Sequence, residues 1–122
     1  MATATYRLVE RAARRLHFAL VTVTADFAET TTIVVSQLAF HWLRVAYGPD
    51  AVIDTPWYET VREEARTGAA LALQQILGND HVVTASVVID EIEFTNVDTS
   101  EGDIGRATCR AVWQALGVQG AR

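Results

Sequence analysis

Two groups of residues in this chain carry the types and spacing that do chemistry. The first is acidic: Asp90, Glu91, Glu93, Asp98, Glu101 and Asp103 fall within fourteen positions, with Thr99 and Ser100 among them. The oxygens of Asp90, Glu91, Glu93, Asp98 or Glu101 would bind a hard cation if they converged, but their spacing matches no known metal-binding loop. Ahead of an apolar stretch they more simply cap a helix, and Ser100-x-x-Asp103 resembles a capping box. The second group is basic: Arg7, Arg11, Arg14 and Arg15 lie within nine residues. Guanidinium forks suit phosphate, and the alternative is a solvated basic turn or helix face. The three histidines, His17, His41 and His81, lack zinc spacing. Cys109 lies on an apolar helical arc, where an inert thiol is expected. Trp42, Tyr47, Trp57 and Tyr58 flank one long loop and form a candidate small-molecule pocket or interface.

Composition bounds what these groups can serve. The chain has 122 residues, half of them hydrophobic, which predicts one domain over 1–122 with a packed core. Its formal net charge is −5, so the whole surface is no general polyanion binder, although a local basic patch remains open. All ten basic residues are arginine. A single cysteine excludes an internal disulfide, and no apolar run is long enough to cross a bilayer. The first ten residues lack a secretory pattern, so a cytoplasmic location with no membrane contact is expected. No cofactor or metal is expected.

The positioning elements follow from periodicity. "YRLVERAARRLHF" reads either as an amphipathic helix or as two strand ends joined by a basic turn. Ala19, Val21, Val23, Ala25 and Phe27 alternate as one face of a strand. "TIVVSQLAFHW" predicts a second strand, with Val34, Leu38, Phe40 and Trp42 on one side, hairpinned to the first. Gly48-Pro49-Asp50 turns the following loop. Thr55 as N-cap and Pro56 as first residue then open a helix over 56–77, with Val61, Ala65, Gly68, Ala69, Ala72 and Ile76 as its stripe. Gly78-Asn79 ends it. Over 82–95, Val83, Ala85, Val87 and Ile89 alternate before the parity switches to Ile92 and Phe94, which predicts a bulge near Asp90-Glu91. The last helix is expected over 100–116. Its apolar arc, reaching Cys109 and Trp113, is broader than one sheet requires, which predicts a homo-oligomer.

The segment "VVTASVVIDEIEFTNVDTSEGDIGRATCRAVWQALG" resembles the end of domain IV of elongation factor G and its relatives, including the tetracycline-resistance ribosomal protection proteins. The matching residues are Val97, Asp98, Thr99, Ser100 and Glu101, followed by Ala107 and Ala111. "VREEARTGAALALQQILG" resembles the preceding helix of that family, so the likeness covers roughly 17–117. It implies an α+β fold: a four-stranded mainly antiparallel sheet, two helices on one face and a left-handed β-α-β crossover. It also implies contact with the ribosome or structured RNA through Arg7, Arg11, Arg14, Arg15, Thr95 and Asn96. No Gly-x-x-x-x-Gly-Lys-Ser/Thr is present, so nucleotide hydrolysis is not expected. The family's glycine-rich loop is replaced by "ERAARRL", and Thr95 stands where a histidine is common. The alternative to an RNA role is a homo-oligomeric or small-molecule-binding module.

Overall fold

The computed structural model describes residues 2–12, 14–49, 56–78, 81–95 and 97–120. Strand β1 (Ala2–Ala12) and strand β2 (Arg15–Phe27) form an antiparallel hairpin that pairs Ala2 with Ala25 and Ala12 with Arg15. The basic segment is therefore a turn between strands, with Arg14 at φ 64°. β2 pairs antiparallel with β4 (Ala85–Glu93), and β3 (Thr32–Val35) runs parallel to β4. The sheet order is β1-β2-β4-β3. Helices α1 (His41–Tyr47), α2 (Pro56–Gln74) and α3 (Asp103–Leu116) complete the fold. The architecture is α+β, with a four-stranded, mainly antiparallel sheet.

One sheet face carries the core. Leu8 of β1, Ala19, Val21, Val23 and Ala25 of β2, and Ala85, Val87, Ile89 and Ile92 of β4 are buried with the inward residues of α2 and α3. The other face is polar. Thr3 bonds Thr24 at 2.9 Å, Thr5 bonds Thr22 at 2.8 Å, and Thr24 donates to Asp90 at 2.7 Å. The threonines that alternate with valine in β2 thus serve a second face. The parity switch is a bulge: Thr22 faces Glu91 while Val23 faces Ile89, leaving Asp90 unpaired in the ladder.

Three expectations are corrected. The hairpin of β2 is made with β1, not with the segment after it. That later segment is a strand for only four residues, at the opposite edge, and then turns into α1. Of the expected face Val34, Leu38, Phe40 and Trp42, only Phe40 is buried; Val34 and Leu38 are 53% and 67% exposed. The buried residues are Ala39, Phe40 and Leu43, which is helical spacing. Secondly, the long helices are shorter than expected, α2 ending at Gln74 and α3 starting at Asp103. The Thr55 cap and the Asp50 and Asn79 turn positions lie outside the described residues. Thirdly, the broad arc of α3 is divided between two surfaces of the same chain, with Cys109 and Trp113 half-buried beside α2. Its inner residues face β1 and β2, while Trp113 turns to α2 and donates from Nε1 to the Ala72 carbonyl at 2.8 Å.

α2 and α3 cross with backbones almost touching. A Cβ on Gly68 would lie 2.9 Å from the Gly105 Cα and closer still to the Gly105 carbonyl oxygen. A Cβ on Gly105 meets nothing nearer than Glu64, at 3.6 Å. The two glycines therefore respond differently to the same change. Gly68→Ala forces the helices apart and costs about 1–3 kcal/mol. Gly105→Ala is neutral, or gains up to about 1 kcal/mol from helix propensity. Urea unfolding of both variants beside the wild type measures the contrast.

Candidate functional site

The arginine turn is the first candidate surface. Arg11, Arg14 and Arg15 are exposed, and among the described residues their side chains make no hydrogen bond or ion pair. Arg7 lies on the polar sheet face, with its guanidinium 5.9 Å from the centre of the Phe18 ring. Three arginines at one turn, without carboxylate partners, leave their donors free for an anion.

A second loop is tied to this end of the sheet. The Phe18 amide donates to the Asp98 carbonyl at 2.8 Å, and Thr99 Oγ1 donates to the Phe18 carbonyl at 2.6 Å. The loop also closes on itself. The Thr95 amide donates to Thr99 Oγ1 at 2.9 Å, and the Asp98 amide donates to Thr95 Oγ1 at 2.8 Å. The exposed Thr95 thus closes this loop and is also a candidate contact. Asn96 lies outside the described residues.

The acids that follow build a structural node. Asp103 is 2% exposed. Its carboxylate accepts from the Ser100 amide at 2.8 Å, from His17 Nδ1 at 3.1 Å and from Arg106 at 3.2 Å. Arg106 also donates to Glu10 at 2.8 Å, and this bond, with Asp103 behind it, raises the guanidinium pKa further. Only half of the expected capping box forms: Asp103 takes the Ser100 amide, but Ser100 Oγ is buried without a partner. The first turn of α3 is instead capped from another helix. Glu64 of α2 accepts the Gly102 and Gly105 amides at 3.2 and 2.9 Å. Sequence spacing gives no signal for a cap donated from 38 and 41 residues away. His17 and Phe18 of β2 are therefore both fastened to the 98–103 segment, three positions or fewer from Arg15.

The aromatic candidates divide. Trp42, Tyr47 and Tyr58 line one cavity of about 580 Å³, together with Phe18, Phe94 and Glu93. Trp57 is not in its wall; it packs against Phe94 with ring centres 4.7 Å apart. Phe94 is the hub, edge-on to Phe40, Trp42 and Trp57 and tilted against Tyr58. Trp42 Nε1 donates to the Ile92 carbonyl at 2.5 Å, which fixes its ring plane. Phe18 and Glu93 belong to strands and Phe94 follows β4 directly, so sequence spacing does not group them with the aromatic residues of the long loop. The one available signal was the helical spacing of Leu43, Ala46 and Tyr47 after Ala39-Phe40. A second groove, of about 400 Å³, runs between α2 and α3 past Cys109. Burial pushes the Cys109 thiol up to about 11, against a small opposing pull from Arg110.

No family model matches the chain, and no curated protein matches it. Among solved structures, the crystal structure of ttk003000868 from Thermus thermophilus is similar, with a TM-score of 0.67 over 95% of this chain and 11% sequence identity. The chain spans 16% of that protein's length. At this identity the likeness is one of fold.

Two outcomes are expected here. Asp103→Ala strands three donors and lowers stability by about 1–3 kcal/mol, whereas Ser100→Ala removes an unpartnered hydroxyl and stays within about 0.5 kcal/mol of the wild type; urea midpoints decide both. The raised Cys109 thiol keeps its proton at pH 8. Alkylation by iodoacetamide at that pH therefore runs about a hundredfold slower in the folded protein than in urea, where the thiolate forms more readily.

Proposed function

We propose that this chain is a binding module of the translation-factor domain IV type, acting in the cytoplasm and contacting the ribosome or structured RNA. One observation carries this reading: three exposed arginines at the β1–β2 turn, with no side-chain partner among the described residues, beside a loop fastened to the same strand. Phosphate contact from such a turn is local. The rest of the molecule, at net charge −5, repels a polyanion. Binding is therefore oriented and falls steeply with salt. The β-α-α-β-α order after the hairpin and the fold likeness to one part of a much longer protein support the same reading. The crossover between β3 and β4 is taken to be left-handed, as the resemblance implies. The free outer edge of β1, eleven residues long, favours a second reading as a homo-oligomeric module.

The test is retention on ribosomes or structured RNA across a salt series. Wild type is retained at low salt, and Arg11→Ala/Arg14→Ala/Arg15→Ala loses retention. In the triple variant the slope of log K against log salt falls by about 2–3. Its unfolding midpoint stays within about 0.5 kcal/mol of the wild type, since among the described residues none of the three side chains has an intramolecular partner. No retention of the wild type at low salt removes the RNA reading, and a light-scattering mass above one chain then transfers the function to self-association.

A further inference from the structure

We propose that the aromatic cavity beside α1 binds a small organic cation of the alkylated-ammonium class, with Glu93 as its counter-ion. This goes beyond the RNA reading and does not rest on it. Five rings line the cavity: Phe18, Trp42, Tyr47, Tyr58 and Phe94. Three of them are held in fixed relative orientation. Trp42 and Phe94 stand 5.6 Å apart at 88°, and Tyr58 and Phe94 stand 5.9 Å apart at 52°. The hydrogen bond from Trp42 to Ile92 fixes the indole further. Tyr47, 76% exposed, is the outer wall. A ring set held in this way needs little ordering on binding, which favours affinity.

The charge in the wall selects the ligand. Glu93 is half-buried, and among the described residues its carboxylate has neither a hydrogen-bond donor nor a cation. Among the described residues no arginine lines the cavity; Arg7 lies over the Phe18 ring, 5.9 Å from its centre. A phosphate or other anion is repelled by Glu93. A neutral ligand fits the rings but leaves the carboxylate without a counter-charge. A divalent metal needs several oxygens at one point, and among the described residues the wall offers one carboxylate. An alkylated ammonium meets both requirements: it is weakly hydrated, its positive charge is attracted to ring faces, and it pairs with a carboxylate. Rings of this cluster already take cations within the molecule, since the Arg62 guanidinium lies 5.0 Å from the centre of Phe40, which packs on Phe94 and Tyr58. The volume of about 580 Å³ suits a ligand of this size with room for a substituent.

Choline is the probe, and the Trp42 indole N–H resonance, assigned with Trp42→Phe, is the readout. Choline shifts it saturably with a Kd on the order of 1 mM. The neutral isostere 3,3-dimethyl-1-butanol binds at least about tenfold more weakly, the margin that the charge contributes. Glu93→Gln weakens choline by about tenfold and leaves the isostere unchanged. Tyr47→Ala weakens choline as well, and both variants keep the wild-type far-ultraviolet circular dichroism and urea midpoint, because neither side chain is fully buried. A trimethyllysine peptide separates the two sources of the cation: tighter binding than choline assigns the site to a methylated side chain, and equal binding assigns it to a free ion. Equal affinity for choline and its isostere overturns the proposal. So does the absence of any saturable shift, or a Glu93→Gln variant that binds choline as well as the wild type. None of these outcomes touches RNA retention, so the two readings fail separately.

Discussion

The close crossing of α2 and α3 is the contact on which the rest of the fold depends. Gly68 lets the Gly105 backbone approach to a distance that any side chain would block. That proximity lets Glu64, one turn before Gly68, reach the free amides at the start of α3. The cap and the crossing are therefore one feature. A helix N-terminus carries partial positive charge and unsatisfied donors, and a carboxylate from the neighbouring helix meets both needs. With α3 fixed in this way, its next residues, Ile104, Ala107 and Ala111, fall on the sheet, and Trp113 falls on α2.

From that crossing the order passes to the surface. Asp103, the first residue of α3, is buried and holds His17 of β2. Phe18 is bonded through its backbone to Asp98 and Thr99. The loop before α3 and the strand after the arginine turn thus move as one body. Among the described residues Arg11, Arg14 and Arg15 have no side-chain partner, while several carboxylates are held by other groups. Glu10 goes to Arg106, Asp103 to His17, and Glu59 and Glu63 to Arg62 and Arg66 along α2. Asp90, in the bulge, accepts from Thr24. Beside these pairs stand one basic turn and, at α1, one aromatic cavity whose wall includes the Glu93 carboxylate. The two surfaces differ in sign and in chemistry, and they meet at Phe18, which carries Arg7 over its ring and lines the cavity.

Much of this was legible in the sequence, because it depends on near neighbours along the chain. The alternation in 17–27, the stripe of small residues from Val61 to Ala72, and the parity switch at Asp90-Glu91 each record which side of an element faces the core. A β-bulge changes parity in the sequence itself, so it could be read directly. The clustering of Arg7, Arg11, Arg14 and Arg15 was equally plain, as was the apolar arc of α3.

Partners distant in the chain were decided only by the tertiary structure. Period-2 alternation says that a strand exists but not which edge it pairs with. The polar half of β2 suited β1 as well as the segment after it, and the long β1 prevailed. The residues from Ser36 to Tyr47 mix apolar and polar types in a way that fits either period over so short a span, and burial of Ala39, Phe40 and Leu43 under the aromatic hub selected the helix. The width of the α3 arc was visible, but not that a second helix of the same chain would cover it. Neither the Glu64 cap nor the meeting of Phe18, Trp42, Tyr58 and Phe94 leaves a mark at fixed spacing. Sequence determines the faces of elements through local sterics and hydrophobic period, whereas the site is made where faces from four separate segments converge, and that convergence is set by packing.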